Sequence, residues 1–270
     1  MSLLFQYETI LKFSTDPNLQ ELEGGQDESL KVGQLVLKPV HEEKEYVWVS
    51  ATLENLDFSS LNISKPICSL NGKYIEDGIG ATPYFENIGH VYDVIINLRL
   101  CRQLNEILKT VLEPVVLFEE LNNPWKKAQF LAWHGKSNPD LPSEILFLIS
   151  LRKNIDLPKQ LIHVDLAGNV LINEHNETCI IDFTPAFLPK EYAEAVVIVD
   201  SISWYQASIG ALNELKLEKS ISYQLLLRAL IFRMSVPLFL NSSENNENHF
   251  YEKLSPFKKV YAYFENNHIE

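Results

Sequence analysis

Between residues 163 and 182 the chain sets four side chains that can do chemistry: His163, Asp165, Asn169 and Asp182. Apolar Leu161 and Ile162 lead in, and Gly168 loosens the backbone between the polar positions. Val170, Leu171 and Ile172 make a short apolar run that reads as a buried strand. Asn173 to Glu177 are all polar and read as a turn, and Thr178 to Ile181 are β-branched or apolar and read as the return strand. Asp182 ends that strand. A hairpin of this length brings Asp182 back beside Asp165 and Asn169. Two carboxylates and a carboxamide then gather at one end, a donor set suited to a hard cation with oxygen ligands. Any one of them alone is more often a turn or cap residue. Their spacing across a hairpin, with a histidine two residues before the first aspartate, favours the functional reading.

Stepping towards the N-terminus, Val36-Leu37-Lys38 reads as a strand closed by Pro39. Residues two apart on a strand share a face, so Val36 and Lys38 point the same way. An apolar side chain and an ammonium on one face suit a roof over adenine and a clamp on phosphate. Short strands at Leu19–Glu23 and Leu30–Val32 precede it, joined through Gly24, Gly25 and Gln26, where the glycines let backbone N–H groups approach phosphate closely. Two glycines alone are more often a plain hairpin turn. Residues 41–56 read as a helix carrying Glu42, Glu43, Glu45 and Glu54. Towards the C-terminus, Asp200 sits inside a largely apolar helix over residues 191–211, where a buried carboxylate needs donors.

The stretch His-Val-Asp-Leu-Ala-Gly-Asn-Val-Leu-Ile-Asn, followed by Cys-Ile-Ile-Asp-Phe, resembles the catalytic and metal-binding segments of the aminoglycoside phosphotransferase-like branch of the protein-kinase-like fold. In its loop spacing it is similar to an uncharacterised bacterial subgroup with a short His-x-Asp-x-x-Gly-Asn loop. The resemblance implies a phosphotransferase that uses ATP and Mg²⁺ to phosphorylate a hydroxyl of a small molecule. It makes Asp165 the catalytic base or hydroxyl orienter, Asn169 and Asp182 the Mg²⁺ ligands, and His163 and Asp200 supports of the catalytic loop, with Asp200 accepting the loop's backbone N–H groups. It makes Lys38 a phosphate clamp held by Glu45, with Glu42 in reserve, and places the hinge backbone at Tyr84, Phe85 and Glu86 against the adenine edge. Two departures stand out. Asp165 to Asn169 is one position shorter than the usual family loop, and the glycine after Asp-Phe is Thr184. A nucleotide-binding module without turnover is the alternative these departures leave open.

The expected architecture is α+β and bilobal: a small antiparallel-β lobe with a helix over residues 1–86, which binds nucleotide, and a larger, mainly helical lobe over 87–270. Residues 121–142, with Trp125, Trp133 and His134, read as a loop or part of a substrate wall, and residues 185–190 as a loop between Pro185 and Pro189. At 270 residues, 46% hydrophobic and 22% charged, the chain can bury a sizeable core. Its net charge of −13 argues against nucleic acid as a main partner. The excess is denser in residues 1–87, with 14 acids against 6 Lys and Arg, than in 88–270, with 22 against 17, so charge gives little support to a cationic substrate. Three scattered cysteines without metal spacing fit a reduced, cytoplasmic compartment. No signal-peptide pattern or membrane-length apolar run is expected, and no membrane partner.

Overall fold

The computed structural model describes residues 6–15, 18–22, 29–112, 123–136, 138–240 and 247–267. In chain order the elements are α1 (Tyr7–Leu11), β1 (Leu19–Glu21), β2 (Leu30–Val32), β3 (Leu35–Pro39), α2 (Glu43–Glu54), β4 (Ile75–Glu76), β5 (Ile79–Pro83), β6 (Gly89–His90) and α3 (Val94–Leu108). Then follow α4 (Pro124–His134), α5 (Ser143–Ser150), β7 (Lys159–His163), β8 (Val170–Ile172), β9 (Thr178–Ile180), β10 (Pro185–Pro189), α6 (Lys190–Trp204), α7 (Lys219–Phe239), α8 (Glu247–Leu254) and α9 (Lys258–Asn266). They divide into two compact units. One comprises residues 1–90 and 169–182, the other 91–168 and 183–270. The chain therefore re-enters the first unit for the β8–β9 hairpin alone.

In the first unit an antiparallel sheet runs in the order β1-β2-β3-β5-β4. Leu30, Val32, Leu37, Ile79 and Ala81 turn to one face and are buried with Ile10 and Phe13 from α1 and its end. The strand alternation that buries Leu37 sends Val36 and Lys38 to the opposite face. Gly80 lies directly across from Lys38 in the β3–β5 ladder. A Cβ there would sit 2.3 Å from Tyr46 Oη and 2.4 Å from Cζ, so the absent side chain is what lets the ring from α2 lie on the Lys38 face. A second sheet, β6-β8-β9, holds the hairpin. Asn173 builds its turn, with Oδ1 accepting from the backbone N–H of His175 at 3.0 Å and of Glu177 at 2.9 Å. Residues 62–64 run parallel to β9: Ile180 N donates to Asn62 O and Ser64 N to Ile180 O, at 3.0 and 2.8 Å.

The second unit is mainly helical. Asp93 caps α3, its carboxylate accepting from Ile95 N and Ile96 N at 2.9 Å each. Helix α6 is buried at every position from Tyr192 to Ile202, with Glu194, Asp200 and Ser201 as the polar residues among apolar ones. Two expectations fail here. Residues 185–189 form a strand, β10, paired antiparallel with β7 from Pro185 opposite His163 to Pro189 opposite Lys159. Proline is tolerated because the pair has only two strands and both prolines sit at its ends. Residues 124–134 form helix α4 rather than a loop. Asn123 caps it by accepting from Lys126 N at 2.8 Å, and Pro124 occupies its first turn, where a missing N–H costs nothing. Trp133 packs edge-on against Tyr192 with ring centroids 5.1 Å apart, a core contact. By length and composition α7 could cross a membrane, against the sequence expectation, but 72% of its apolar window is buried within the protein. It is a core helix packed on α4 and α6.

Candidate active site

In the first unit, folding joins residues 144 positions apart: the Lys38 ammonium donates to Asp182 Oδ1. Lys38 arrives on β3, and Asp182 is the second residue beyond β9. Asp182, rather than the expected Glu45, is thus the partner the structure gives Lys38. The α2 side chain laid on the Lys38 face of the sheet beside Gly80 is Tyr46, the residue after Glu45. Burial pushes the Tyr46 phenol up to about 12, so it stays a neutral hydroxyl. Asn169 stands opposite Ile181, whose N–H donates to Asn169 O at 2.9 Å, so the carboxamide and the Asp182 carboxylate emerge from neighbouring positions of one hairpin. Among the described residues no group of three or more His, Cys, Asp or Glu side chains is placed to hold a metal. A carboxamide oxygen and one carboxylate nonetheless fit Mg²⁺, which takes one or two protein ligands and completes its shell with phosphate and water.

Asp182 also carries a backbone signature. Its φ is +53°, in the left-handed region that a β-carbon disfavours. Thr184 is not among the positive-φ residues. The glycine missing from position 184 is therefore not required by this backbone, and the departure from the family pattern costs nothing in conformation.

The second unit holds the other group. His163 is buried, and its Nδ1 accepts the Thr184 N–H at 3.0 Å and lies 3.4 Å from Asp165 N. Val164 N donates to Thr184 O at 3.0 Å, so one dipeptide ties the segment after Asp182 to the loop bearing Asp165. Asp200 is 3% exposed. It does not accept loop backbone N–H groups as expected; its partner is Arg233 of α7, whose Nε reaches Oδ1 at 2.8 Å and Oδ2 at 3.1 Å. Arg233 Nη2 lies 2.5 Å from Asp200 Oδ2 and 2.5 Å from Asp165 Oδ1, and it also donates to Val164 O at 3.4 Å. Burial raises the Asp200 carboxyl to about 6, against the pull of Arg233. Burial likewise opposes the Arg233 charge, but Asp200 and Asp165 outweigh it and push its pKa up. Glu194, also buried on α6, binds Arg102, with Nε 2.8 Å from Oε2.

Gly168 closes the Asp165 loop for two independent reasons. Its φ is +87°, and a Cβ there would lie 2.1 Å from Tyr205 Oη. Tyr205, at the C-terminal end of α6, stacks on Tyr92 with centroids 4.6 Å apart. Sequence reasoning missed Arg233, Tyr46 and Tyr205. Arg233 had a signal: a guanidinium inside the apolar run of α7 must find acceptors for its donors.

At the expected hinge the backbone is partly engaged. Tyr84 N donates to Gln34 O at 2.8 Å, extending the β3–β5 ladder by one bond, and Phe85 O accepts from Asn87 Nδ2 at 3.1 Å. The Tyr84 amide is therefore not available to an adenine edge. Its ring is covered by the Lys31 ammonium, 3.7 Å from the centroid, and Glu86 is exposed. Gly24, Gly25 and Gln26 lie outside the described residues.

No protein-family profile matches the chain, and no curated protein matches it. Solved structures do. An aminoglycoside phosphotransferase from Alicyclobacillus acidocaldarius is 12% identical with a TM-score of 0.57, covering 98% of this chain and 94% of its own. The choline kinase LicA from Streptococcus pneumoniae is 12% identical at a TM-score of 0.54, over 90% of this chain and 93% of that one. LicA in complex with AMP is 12% identical at 0.53, over 91% of both chains. Identity this low speaks to fold alone. An antiparallel-sheet unit and a helical unit, matched along nearly the whole chain to such structures, give this protein an α+β, protein-kinase-like fold.

Proposed function

We propose that the protein transfers the γ-phosphoryl group of ATP to a hydroxyl of a small molecule. The observation that supports this reading is the meeting of Lys38 and Asp182 across 144 residues, which sets a cation suited to phosphate beside a carboxylate suited to a metal. The likeness in fold to aminoglycoside and choline kinases supports it, as does the nucleotide in the LicA complex. Lys38 would bind phosphate oxygens, with Val36 on the same face against the base. Asn169 and Asp182 would hold Mg²⁺, which when bound neutralises charge building on the phosphates. Asp165, four residues before Asn169, would orient the acceptor hydroxyl and take its proton, while His163 keeps its loop in place. Little covalent chemistry falls to the protein in such a transfer; positioning and charge stabilisation supply the rate.

The test is calorimetry with ATP, with and without Mg²⁺, on wild type and Lys38→Met, together with ADP release in the presence of choline, ethanolamine and kanamycin. Metal-dependent binding that falls tenfold or more in Lys38→Met, on the order of one charge-assisted hydrogen bond, is the expected result. Binding that ignores both the metal and Lys38 would sink the reading. Binding without ADP release to any acceptor or to water would instead mark a nucleotide-binding module.

A further inference from the structure

Arg233 does more than neutralise a buried carboxylate. Its side chain is 10% exposed, against 4% for Asp200 and 35% for Asp165. The guanidinium and Asp200 form a dry, bidentate pair between α7 and α6, with net charge zero. The same Nη2 then reaches out of that pair to Asp165 Oδ1 and to Val164 O. One nitrogen thus holds the loop by side chain and by backbone, and the unbalanced negative charge of the cluster falls on its most exposed member. Turning Asp165 about its side-chain torsions means breaking a charge-assisted bond to a group that Asp200 prevents from following.

We infer that Arg233 is the positioning residue of this site, anchored by Asp200 so that it pins Oδ1 of Asp165 and fixes the direction in which that carboxylate meets the acceptor hydroxyl. The inference rests on the phosphotransfer reading and adds to it a residue on α7. Lysine cannot replace it, because one ammonium does not offer the parallel Nε and Nη2 donors that Asp200 takes while still reaching Asp165.

The experiment compares wild type, Arg233→Lys and Arg233→Met for melting temperature, ATP–Mg²⁺ affinity, and the ratio of ADP released to acceptor phosphorylated, with choline, ethanolamine and kanamycin as acceptors and water as the reference. A purely structural role lowers the folded fraction and scales both reactions alike. A positioning role leaves ATP affinity within about twofold, lowers acceptor phosphorylation per folded molecule by roughly 10–100-fold, the scale of a misplacement near 1 Å, and raises the ratio, because water needs less orientation than a bound hydroxyl. Arg233→Lys keeps the buried charge and carries the test should Arg233→Met not fold. Wild-type rate and ratio in a folded Arg233 variant overturn the inference while leaving the phosphotransfer reading intact. A wild-type protein that neither binds ATP–Mg²⁺ nor releases ADP overturns both.

Discussion

Asp182 holds a left-handed backbone conformation while its carboxylate accepts from Lys38, so one residue meets two demands that ordinarily call for different amino acids. Glycine would relieve the backbone at the cost of the ligand; asparagine would keep the shape and lose the charge. Asp182→Gly is expected to melt at or above wild type, by up to about 1 kcal/mol, and Asp182→Asn close to it, since an ion pair this exposed adds little to stability. Both should lose the Mg²⁺ dependence of ATP binding. Thermal melts and calorimetry read the two effects separately, and an early-melting Asp182→Gly would show that φ at 182 is not strained. Asp165 and Asp200 make a second contrast. Asp200→Ala removes the anchor of a buried guanidinium and should cost about 3–5 kcal/mol. Asp165→Ala leaves Arg233 paired with Asp200, so it should melt near wild type and bind ATP normally while abolishing transfer. Equal melting losses in urea titrations of the two variants would refute this division of labour. The sequence showed that Asp200 must have a donor but not which: a helix pattern fixes burial, whereas the choice between loop N–H groups and Arg233 depends on how α6 and α7 pack.

Elements with strong local signals were legible. The β8–β9 hairpin, the Lys38 strand, the helix after it and the apolar α6 and α7 all follow from periodicity. β10 and α4 were not read, each for a physical reason. In β10 the prolines at its two ends carry a turn signal, yet the strand forms because it pairs with β7, Pro185 opposite His163 and Pro189 opposite Lys159, a non-local fact. In α4 the signal was present, since Asn123-Pro124 is a cap followed by a first-turn proline, but Trp, His and nearby prolines drew the reading towards a loop. Packing of α2 on the first sheet belongs to the same class, because nothing in the sequence pairs Tyr46 with Gly80. That contact predicts that Gly80→Ala destabilises the first unit by about 1–3 kcal/mol through overpacking and weakens ATP binding with it, because the displaced ring lies on the Lys38 face. Tyr46→Phe should not rescue it, as the ring carbon Cζ at 2.4 Å clashes as well as the hydroxyl; Tyr46→Ala should. Rescue by phenylalanine, followed in chemical denaturation, would place the clash at the hydroxyl alone.

At the scale of the whole molecule, the first unit is discontinuous: residues 1–90 need residues 169–182 to complete it. The hairpin gives this unit more than two candidate ligands. β8 takes the Gly89–His90 strand, and Ile88 N donates to Ile172 O at 2.9 Å. β9 takes both Asn62 O and Ser64 N. A fragment ending at residue 90 keeps the five-stranded sheet and its Ile10–Leu37 core but leaves these backbone groups without partners, and it lacks Asn169 and Asp182. Those groups turn to water instead, a net loss of about 0.5–1.5 kcal/mol for each hydrogen bond, and a few of them together are a large share of the stability of so small a unit. Residues 1–90 alone should therefore show no cooperative melt and no Mg²⁺-dependent ATP binding. A chain in which residues 169–182 are fused after residue 90 through a flexible linker should recover the melt in part, because it restores the β6-β8-β9 sheet and the Lys38–Asp182 contact. Circular dichroism melts and calorimetry on the two fragments check this. A cooperative melt with wild-type ATP affinity in residues 1–90 alone would show that the nucleotide machinery is complete without the hairpin, and that Asn169 and Asp182 do not hold the metal.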